Sequence, residues 1–351
     1  MEGTMRAVRL FSPGDVRCVQ TPVPRISAPD DVLIRVRSCG VCGSDVPRVM
    51  VKGAYRHPIT IGHEFAGEVV EIGAAVTGVH PGDRVTVMPL TPCGTCPSCR
   101  VGNYTLCTDY DYYGSRSDGA MAELVTVKAA NVLAVPGPVD FESASMTDPA
   151  SVALHAVRRH HLLPGQTAAV LGTGPIGLFA VQWLRLAGCR SIIAVDLFDE
   201  KLALARELGA EHCINARLET VPDAIRDRTG GQGADFVVEL AGSSVTQLQA
   251  VQSAARRATV VFCGLSYDDL TLPAQDLNRI LRFELTIFGS WNSSIAPLPI
   301  NEWKTSLEYM SRGFLTTKSL ITHRFRLEEC GPCFDMLSRR EKPFTKVLFI
   351  P

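Results

Sequence analysis

This sequence lacks both an excess of charge and a long apolar run. Its 35 basic and 36 acidic residues leave a formal net charge of −1, so it has no electrostatic footprint for nucleic acid or an anionic membrane. No apolar run reaches the roughly 18 residues of a membrane span. Residues 1–10 lack the basic and then apolar pattern of a signal peptide. We therefore expect a cytoplasmic protein that binds neither nucleic acid nor membrane.

Cysteine, in contrast, is not scarce, with twelve in 351 residues. Disulfide-rich secreted scaffolds are short and this chain is not, so the clustering of its cysteines indicates metal binding. The length corresponds to one to three domains, with a core large enough for independent stability.

The periodicity changes along the chain. Before about residue 140 short alternating segments are broken by proline and glycine, which predicts a β-rich domain without long helices. From Thr167 to about Ser290 apolar strands alternate with helical patterns, which predicts a doubly wound parallel sheet. Its strand candidates are 168–171, 191–195, 212–214, 235–239, 259–263 and 285–288. Its helix candidates include 200–208 and 245–256.

After Trp291 this alternation stops. A helix over 303–312, a short strand near Ile321, a second helix and a closing strand over 346–350 are predicted. That tail is too small for a domain of its own, so we expect it to complete the N-terminal one.

The turn after the first of these strands carries a Gly-x-Gly-x-x-Gly motif, formed by Gly172, Gly174 and Gly177. The first glycine allows a tight turn, the second lets the backbone approach a pyrophosphate, and the third lets helix and strand pack closely. Pro175 stands where the next helix begins, and the helix N-terminus attracts the pyrophosphate. The motif predicts a dinucleotide-binding Rossmann domain.

Asp196 closes the second strand, 19 residues after Gly177. An acid at this place accepts hydrogen bonds from a ribose 2′-hydroxyl, which favours NAD over NADP. Ile176 and Lys201 are predicted to contact the cofactor as well. A glycine turn in another kind of parallel sheet would leave the spacing of Asp196 unexplained.

Four further cysteines share one loop, with the spacing Cys-x2-Cys-x2-Cys-x7-Cys: Cys93, Cys96, Cys99 and Cys107. Four thiolates can enclose one tetrahedral zinc ion and leave no open position, which predicts a structural site. An iron–sulfur cluster is the alternative, but the fourth cysteine of such a cluster usually lies elsewhere.

Over nearly its whole length the sequence resembles the zinc-dependent medium-chain dehydrogenases. The matching segments are Gly-Val-Cys-Gly-Ser-Asp (40–45), Gly-His-Glu (62–64), the cysteine loop, Asp-Gly-Ala-Met-Ala-Glu (118–123) and the glycine turn. The resemblance implies a β-rich GroES-like catalytic domain over 1–153 and 292–351, and a Rossmann domain over 154–291.

By this resemblance Cys42 and His63 bind a second, catalytic zinc, with Glu64 as a ligand or close neighbour. Such an ion needs about three protein ligands and one exchangeable position, and it lowers the pKa of an alcohol bound there. Ser44 matches the start of a proton relay, and Asp45 an acid that orients the ligating histidine. Many relatives continue the relay through a histidine where this chain has Pro47.

Asp148 stands before a proline where polyol-phosphate enzymes of the family have a glutamate. An aspartate here ligates zinc in some relatives, so the resemblance implies an acidic group at the catalytic zinc, bound directly or through water.

Local segments resemble the branch of the family that acts on galactitol 1-phosphate: 42–48, 58–65, 113–116 and 288–291. The resemblance implies Arg48, Tyr113, Arg116 and Trp291 as substrate contacts. The cations available to a phosphate group near the catalytic motifs are Arg48, Lys52, Arg56 and Arg116.

We therefore predict a homodimeric or homotetrameric, NAD-dependent dehydrogenase with two zinc ions per chain, one catalytic and one structural. It oxidises a secondary alcohol of a small-molecule polyol or polyol phosphate to the ketose. Threonine 3-dehydrogenase or a simple secondary alcohol dehydrogenase is the alternative. A non-catalytic NAD-binding regulatory protein is disfavoured, because Cys42, Ser44, His63 and Glu64 are all retained.

Overall fold

The structure of the protein is a computed structural model that describes residues 3–296, 299–339 and 343–351. Its strands, numbered β1 to β18 in chain order, are Thr4–Ser12, Asp15–Pro22, Asp31–Gly40, Ile59–Thr60, Glu64–Ile72, Arg84–Val87, Leu90–Thr91, Asp111–Tyr112, Leu124–Lys128, Val132–Ala134, Thr167–Leu171, Ser191–Asp196, His212–Asn215, Ala234–Glu239, Ala254–Phe262, Thr286–Gly289, Ile321–Phe325 and Lys346–Phe349.

Its α-helices, numbered α1 to α11 in the same way, are Asp45–Pro47, Pro97–Arg100, Phe141–Ala144, Thr147–Val157, Pro175–Leu186, Asp199–Glu207, Val221–Arg228, Ser244–Ser253, Ala274–Phe283, Glu302–Ser311 and Cys330–Arg339. A π-helical turn, Arg48–Lys52, continues α1. Among the described residues no helix is long and apolar enough to cross a membrane.

The chain divides into two compact units, Met1–Asp148 with Ser294–Pro351, and Pro149–Ser293. The predicted domain limits differ from these by two to five residues, because 153 stands against 148 and 292 against 294. The C-terminal segment lies in the same unit as the N-terminal one. Which unit carries which function stays a prediction at this point.

The first unit is built on β structure. Its main sheet has the strand order β10-β6-β5-β3-β18-β17, with β9 also paired to β3, and a smaller sheet has the order β2-β1-β4. The C-terminal strand β18 lies antiparallel to β3, with Leu348 opposite Gly40. Buried apolar residues of these strands, such as Ile34, Phe65 and Val347, form one apolar core. The prediction of a β-rich domain without long helices before about residue 140 is confirmed.

The second unit is a parallel sheet with the strand order β13-β12-β11-β14-β15-β16. Every neighbouring pair is parallel, as in the doubly wound fold predicted from the alternation of strands and helices. β11 is buried along its whole length, which explains the uninterrupted apolar run from Ala168 to Leu171. The predicted fold class is confirmed.

One predicted helix was too long. The segment 245–256 was predicted to be helical throughout, whereas α8 ends at Ser253 and β15 begins at Ala254. Ala254 and Ala255 are buried in the apolar core of the second unit. Their tertiary contacts override the helix propensity of alanine.

Candidate active site

The first cluster of metal-ligating side chains lies in the loop between β7 and β8. The sulfur atoms of its four cysteines all lie within 4.8 Å of one another: Cys93, Cys96, Cys99 and Cys107. Backbone N–H groups of Cys99 and Thr108 lower the pKa of the Cys96 thiol to about 6, which favours the thiolate that binds metal. Four converging sulfurs with no other ligand type fit a closed tetrahedral zinc site.

The second cluster is assembled by the pairing of β3 with β5. Gly40, at the end of β3, lies opposite Glu64, at the start of β5. Cys42 follows β3 and His63 precedes β5, so this register brings their side chains together. One ligand atom from each of Cys42, His63 and Glu64 lies within 4.8 Å of the others. Sulfur, imidazole and carboxylate ligands in this number are typical of a catalytic zinc site.

Asp45 lies behind this cluster, fully buried. Its carboxylate accepts a hydrogen bond from the backbone N–H of Cys42 at 3.0 Å and another from Arg48. His63 Nδ1 lies 3.5 Å from it. Burial opposes ionisation of Asp45, but His63 and Arg48 outweigh it and lower its pKa to about 2. Burial also opposes the charge on His63, yet Asp45 and Cys42 raise its pKa to about 10. Asp45 therefore provides a fixed negative charge that orients the imidazole.

Asp148 is the second residue of α4. It is 5% exposed, and its Oδ1 atom is buried without a hydrogen-bond partner. Burial raises its pKa to about 6, with His63 opposing and Asp45 reinforcing that shift. A buried carboxylate oxygen without a partner is costly. Asp148 is close enough to His63 for their charges to interact, although its oxygens are not among the ligand atoms that lie within 4.8 Å of one another. The residues present therefore fit a catalytic zinc.

Lys346 was missed in the sequence analysis. It opens β18, is 1% exposed, and forms an ion pair with Glu64 while donating to the carbonyl of Val41 at 3.2 Å. The pair packs on Gly40, where an added Cβ would lie 2.6 Å from Glu64 Oε2. One oxygen of Glu64 is thus already occupied. The available signal was a single charge at the start of an otherwise apolar strand.

The tyrosine that lies at the metal-ligand cluster is not the one predicted. Tyr113, predicted to contact substrate, is 6% exposed in the apolar core, and its hydroxyl accepts a hydrogen bond from the backbone of Lys128 at 2.9 Å. Tyr112 lies at the site instead, with its ring edge-on to His63 at 5.5 Å between centroids. Tyr112 is the last residue of β8, and Tyr113 follows it directly in an isolated β-bridge, so these successive side chains point to opposite faces. The prediction was therefore wrong by one position in the chain, because Tyr113 lies in the core and Tyr112 lies at the site.

The other predicted contacts of the first unit are half-buried. Ser44 caps α1 without a side-chain hydrogen bond to it. Arg48 is bound to Asp45, which leaves only part of its guanidinium for another partner. Arg116 stacks against tyrosine rings. Trp291 belongs to the second unit and is 43% exposed.

The glycine turn of the second unit joins β11 to α5, which begins at Pro175 and continues with Ile176. Gly172 has φ +99°, and a Cβ at Gly177 would overlap the carbonyl oxygen of Gly172. A Cβ at Gly174 would meet no atom within 4 Å, which leaves the backbone open to a ligand. This is the arrangement that a pyrophosphate at a helix N-terminus needs.

Asp196 ends β12 beside this turn. Its Oδ2 accepts hydrogen bonds from the backbone N–H and the hydroxyl of Thr173 at 2.8 and 2.9 Å. The backbone N–H of Leu197 donates to Oδ1 at 2.7 Å. Lys201 lies over the ring of Phe198, 5.3 Å from its centroid. Thr173 was not singled out in the sequence, although it occupies the variable position within Gly-x-Gly.

Comparison with known proteins points in the same direction. A model of the alcohol dehydrogenase GroES-like domain matches residues 28–137, and a model described as zinc-binding dehydrogenase matches residues 175–312. Galactitol 1-phosphate 5-dehydrogenase of Escherichia coli K12 is 37% identical over 350 residues, covering 99% of this chain and 100% of the relative.

Two other relatives have different substrates in their names. Sorbitol dehydrogenase of Bacillus subtilis 168 is 31% identical over 99% of this chain and 97% of its own. L-threonine 3-dehydrogenase of Bacillus velezensis is 34% identical over 95% and 94%. A crystal structure of galactitol-1-phosphate dehydrogenase from Escherichia coli superposes with a TM-score of 0.93 and 36% identity, covering 99% of this chain and 100% of that one.

These matches extend over both units, and the predicted enzyme class is confirmed by them. The two ligand clusters fit the structural and the catalytic zinc, and the glycine turn fits the nicotinamide dinucleotide. The chain belongs to the family of zinc-dependent medium-chain dehydrogenases.

Proposed function

We propose that this enzyme oxidises a secondary alcohol of a polyol phosphate similar to galactitol 1-phosphate to the ketose, with NAD as the hydride acceptor. The observation that carries the proposal is the set of Cys42, His63, Glu64 and Asp148 in the first unit, in a chain 37% identical to galactitol 1-phosphate 5-dehydrogenase over 99% of its length.

In this proposal Cys42 and His63 hold the catalytic zinc, and Asp148 and Glu64 complete its surroundings. When bound, zinc lowers the pKa of a substrate hydroxyl so that its proton leaves near neutral pH. Asp45 stays ionised and keeps the imidazole of His63 in one orientation. Ser44 receives the hydroxyl proton. Because Pro47 stands in place of a relay histidine, the route of that proton from Ser44 to solvent differs from the route in relatives that have the histidine.

The choice of NAD is carried by Asp196. A 2′-phosphate would bring a like charge to its carboxylate, whereas a ribose hydroxyl can donate to it. The neighbouring Leu197 offers no compensating positive charge. The acid is also held by Thr173, so it cannot turn away from the incoming ribose without losing those two hydrogen bonds.

A second candidate function is threonine 3-dehydrogenase or a simple secondary alcohol dehydrogenase. The 34% identity with L-threonine 3-dehydrogenase supports it, since the metal-ligating motifs serve either substrate class. An amino acid substrate would present one ammonium and one carboxylate group, whereas a polyol phosphate presents a dianion.

The test is a steady-state screen of NAD reduction by the zinc-loaded enzyme. The panel holds galactitol 1-phosphate, galactitol, sorbitol, sorbitol 6-phosphate, L-threonine and 2,3-butanediol. We expect the highest kcat/KM with a polyol phosphate. A higher value for L-threonine or 2,3-butanediol would overturn the substrate class, and equal values for a polyol and its phosphate would leave only the polyol class.

We also propose that the chain forms a homodimer or homotetramer and acts in the cytoplasm. β16 is an edge strand of the parallel sheet. Ile287 within β16 and Leu281 in the preceding helix α9 are exposed apolar residues. A second copy could pair along that edge. Light scattering after size exclusion tests the oligomer, and cell fractionation tests the location.

A further inference from the structure

The cations around the candidate zinc site differ in how their charge is balanced. Asp45 binds Arg48, and Asp118 pairs with Arg56 at 3.2 Å. Lys52 is exposed. Arg116 is half-buried, yet within the described ranges it has no carboxylate partner. A half-buried guanidinium without a carboxylate partner is unusual. Arg116 is therefore available to bind an anion that the chain itself does not supply.

Arg116 is also held in one orientation. The guanidinium carbon lies 4.2 Å from the ring centroid of Tyr55 and 4.5 Å from that of Tyr110. Two rings this close to the guanidinium carbon limit how the group can turn, and its remaining N–H groups can bind an anion. Its Nε atom is buried without a hydrogen-bond partner. A planar group fixed in this way is suited to paired hydrogen bonds with two phosphate oxygens.

The segment that carries Arg116 is clamped to the metal site. The backbone N–H of Arg116 donates to the carbonyl of Tyr112 at 2.9 Å, and the ring of Tyr112 contacts His63. The same turn packs on the residue before His63, because a Cβ at Gly114 would lie 2.7 Å from the carbonyl oxygen of Gly62. The backbone N–H of Tyr55 donates to Ser115 at 3.3 Å. The distance between Arg116 and the zinc ligands is thus set by the fold.

We propose that Arg116, stacked between Tyr55 and Tyr110, is the anchor for the phosphate group of the substrate. This inference rests on the proposed function and deepens it, because it assigns the phosphate to one of the two arginines that the resemblance left open. Arg48 keeps Asp45 in place instead. The specificity for a phosphorylated over a free polyol then depends on a group remote from the reacting hydroxyl.

The first experiment measures binding rather than turnover. Calorimetry follows inorganic phosphate binding to the zinc-loaded enzyme with NAD, in a buffer free of phosphate and sulfate. Arg116→Met keeps an apolar stem between the rings and removes the charge, so Kd should rise about ten- to a hundredfold, the loss expected for a charged hydrogen-bonding partner. Arg116→Lys keeps the charge without the planar fork, and its Kd should fall between the two.

Arg56→Gln is the matched control, since Arg56 is a nearby arginine already paired with Asp118, and its Kd should equal that of the unmutated enzyme. The second experiment compares kcat/KM for galactitol 1-phosphate and galactitol, and Arg116→Met should lower their ratio about ten- to a hundredfold through the KM of the phosphate ester.

The outcomes separate the inference from the proposed function. If phosphate binds the unmutated enzyme and Arg116→Met equally well, the anchor is not Arg116, whatever the substrate. If Arg116→Met lowers phosphate affinity while the unmutated enzyme oxidises galactitol as efficiently as its phosphate, the anion site stands and the proposed substrate is wrong. Loss of thermal stability in Arg116→Met and Arg116→Lys, with the kcat/KM ratio unchanged, would show a structural role only.

Discussion

Two buried carboxylates beside His63 have opposite electrostatic surroundings. Asp45 is surrounded by donors and positive charge, which lower its pKa to about 2 despite its burial. Asp148 has no hydrogen bond at Oδ1, and burial raises its pKa to about 6. A pair of acids with separated pKa values carries separate tasks. Asp45 is charged throughout the physiological pH range, whereas Asp148 loses its charge as the pH falls below about 6.

Asp148→Asn tests the second of these tasks. The change keeps the shape of the side chain and removes a charge from beside the zinc ion, so turnover should fall at least tenfold. The pH dependence of zinc affinity in the unmutated protein should include a rise through about pH 6, because the raised pKa of Asp148 means that its proton must leave before metal binds.

In Asp148→Asn that part of the pH dependence should disappear. Zinc titration by competition with a chelator at pH 5 to 8 measures it, and Ser44→Ala serves as a variant that alters the site without removing a ligand. Full turnover and an unchanged pH profile of zinc binding in Asp148→Asn would assign the remaining position to Glu64 or water.

Lys346 and Glu64 form a buried ion pair that links the start of β5 to the start of β18. Lys346→Met leaves Glu64 as a buried charge without its partner, which costs about 3 kcal/mol. We expect a thermal midpoint several degrees lower in the zinc-free protein. Adding Glu64→Gln to the variant should recover part of the loss, since no unpaired charge remains.

Thermal unfolding of the two single variants and the double variant, with and without zinc, gives the coupling. If the effects of Lys346→Met and Glu64→Gln simply add, the two side chains do not stabilise each other. Arg37→Met, which leaves the exposed Glu68 unpaired, is the surface control and should change the midpoint little.

At the scale of elements, the cysteine loop between β7 and β8 has little secondary structure of its own. It contains the four-residue helix α2 and a short 3₁₀ turn, Tyr104–Leu106, so metal ligation has to supply its stability. Cys96→Ala should therefore lower the thermal midpoint of unfolding. It should also reduce the zinc content by one ion per chain.

Cys42→Ala is the matched comparison, because its loop is embedded in the main sheet. It should abolish turnover, remove the other zinc and leave most of the stability. Zinc content by atomic absorption, together with thermal unfolding, separates the two. One zinc per chain in fully active unmutated enzyme would contradict the assignment of both sites.

The glycine turn and the end of β12 act as one element in cofactor choice. Asp196→Ala removes the acceptor for the ribose hydroxyl, so NAD should bind about ten- to a hundredfold more weakly and discrimination against NADP should relax. The variant also frees Thr173, so Thr173→Val, which removes only the hydroxyl hydrogen bond, is the control.

Kinetic measurement of kcat/KM with both cofactors decides this. We expect Thr173→Val to keep the preference for NAD. Equal efficiency with NAD and NADP in the unmutated enzyme would rule out the role of Asp196.

At the scale of the whole molecule, basic and acidic residues are nearly equal in number. We therefore expect the stability of the fold at acid pH to depend on a few buried carboxylates. Asp31 accepts hydrogen bonds from the backbone of Ser27 and Ala28 and from Lys128. Burial alone would raise its pKa, but these donors lower it to about 2. Because the folded pKa is below the unfolded value, this stabilisation is complete above about pH 5 and is lost as pH falls towards 2.

Asp31→Asn should therefore destabilise the protein at pH 6 and 7 and make little difference at pH 2.5. Thermal midpoints across that range measure the effect. Asp15→Asn, which affects an exposed pair with Arg17, should show a much smaller change. A constant difference between unmutated protein and Asp31→Asn at all pH values would contradict the assignment.

Local spacing in the sequence was sufficient for the parts of this protein that depend on neighbours along the chain. The glycines of the turn after β11 and the four cysteines of the loop lie within a few residues of one another, so their geometry follows from short segments. The parallel sheet was predictable for the same reason, because each strand and its following helix have their own periodicity.

The tertiary structure alone decided what depends on strands distant in sequence. Lys346 meets Glu64 across 282 residues only because β18 returns to lie beside β3. Tyr112 rather than Tyr113 reaches His63 because the face of a strand is set by its register, which the sequence of three nearby tyrosines leaves open. That Arg116 has no carboxylate partner among the described residues likewise follows only from the fold, in which Asp45 pairs with Arg48 and Asp118 with Arg56. Short-range patterns thus determined the cysteine loop and the cofactor motif, whereas packing between distant segments determined which charged groups are paired within the chain.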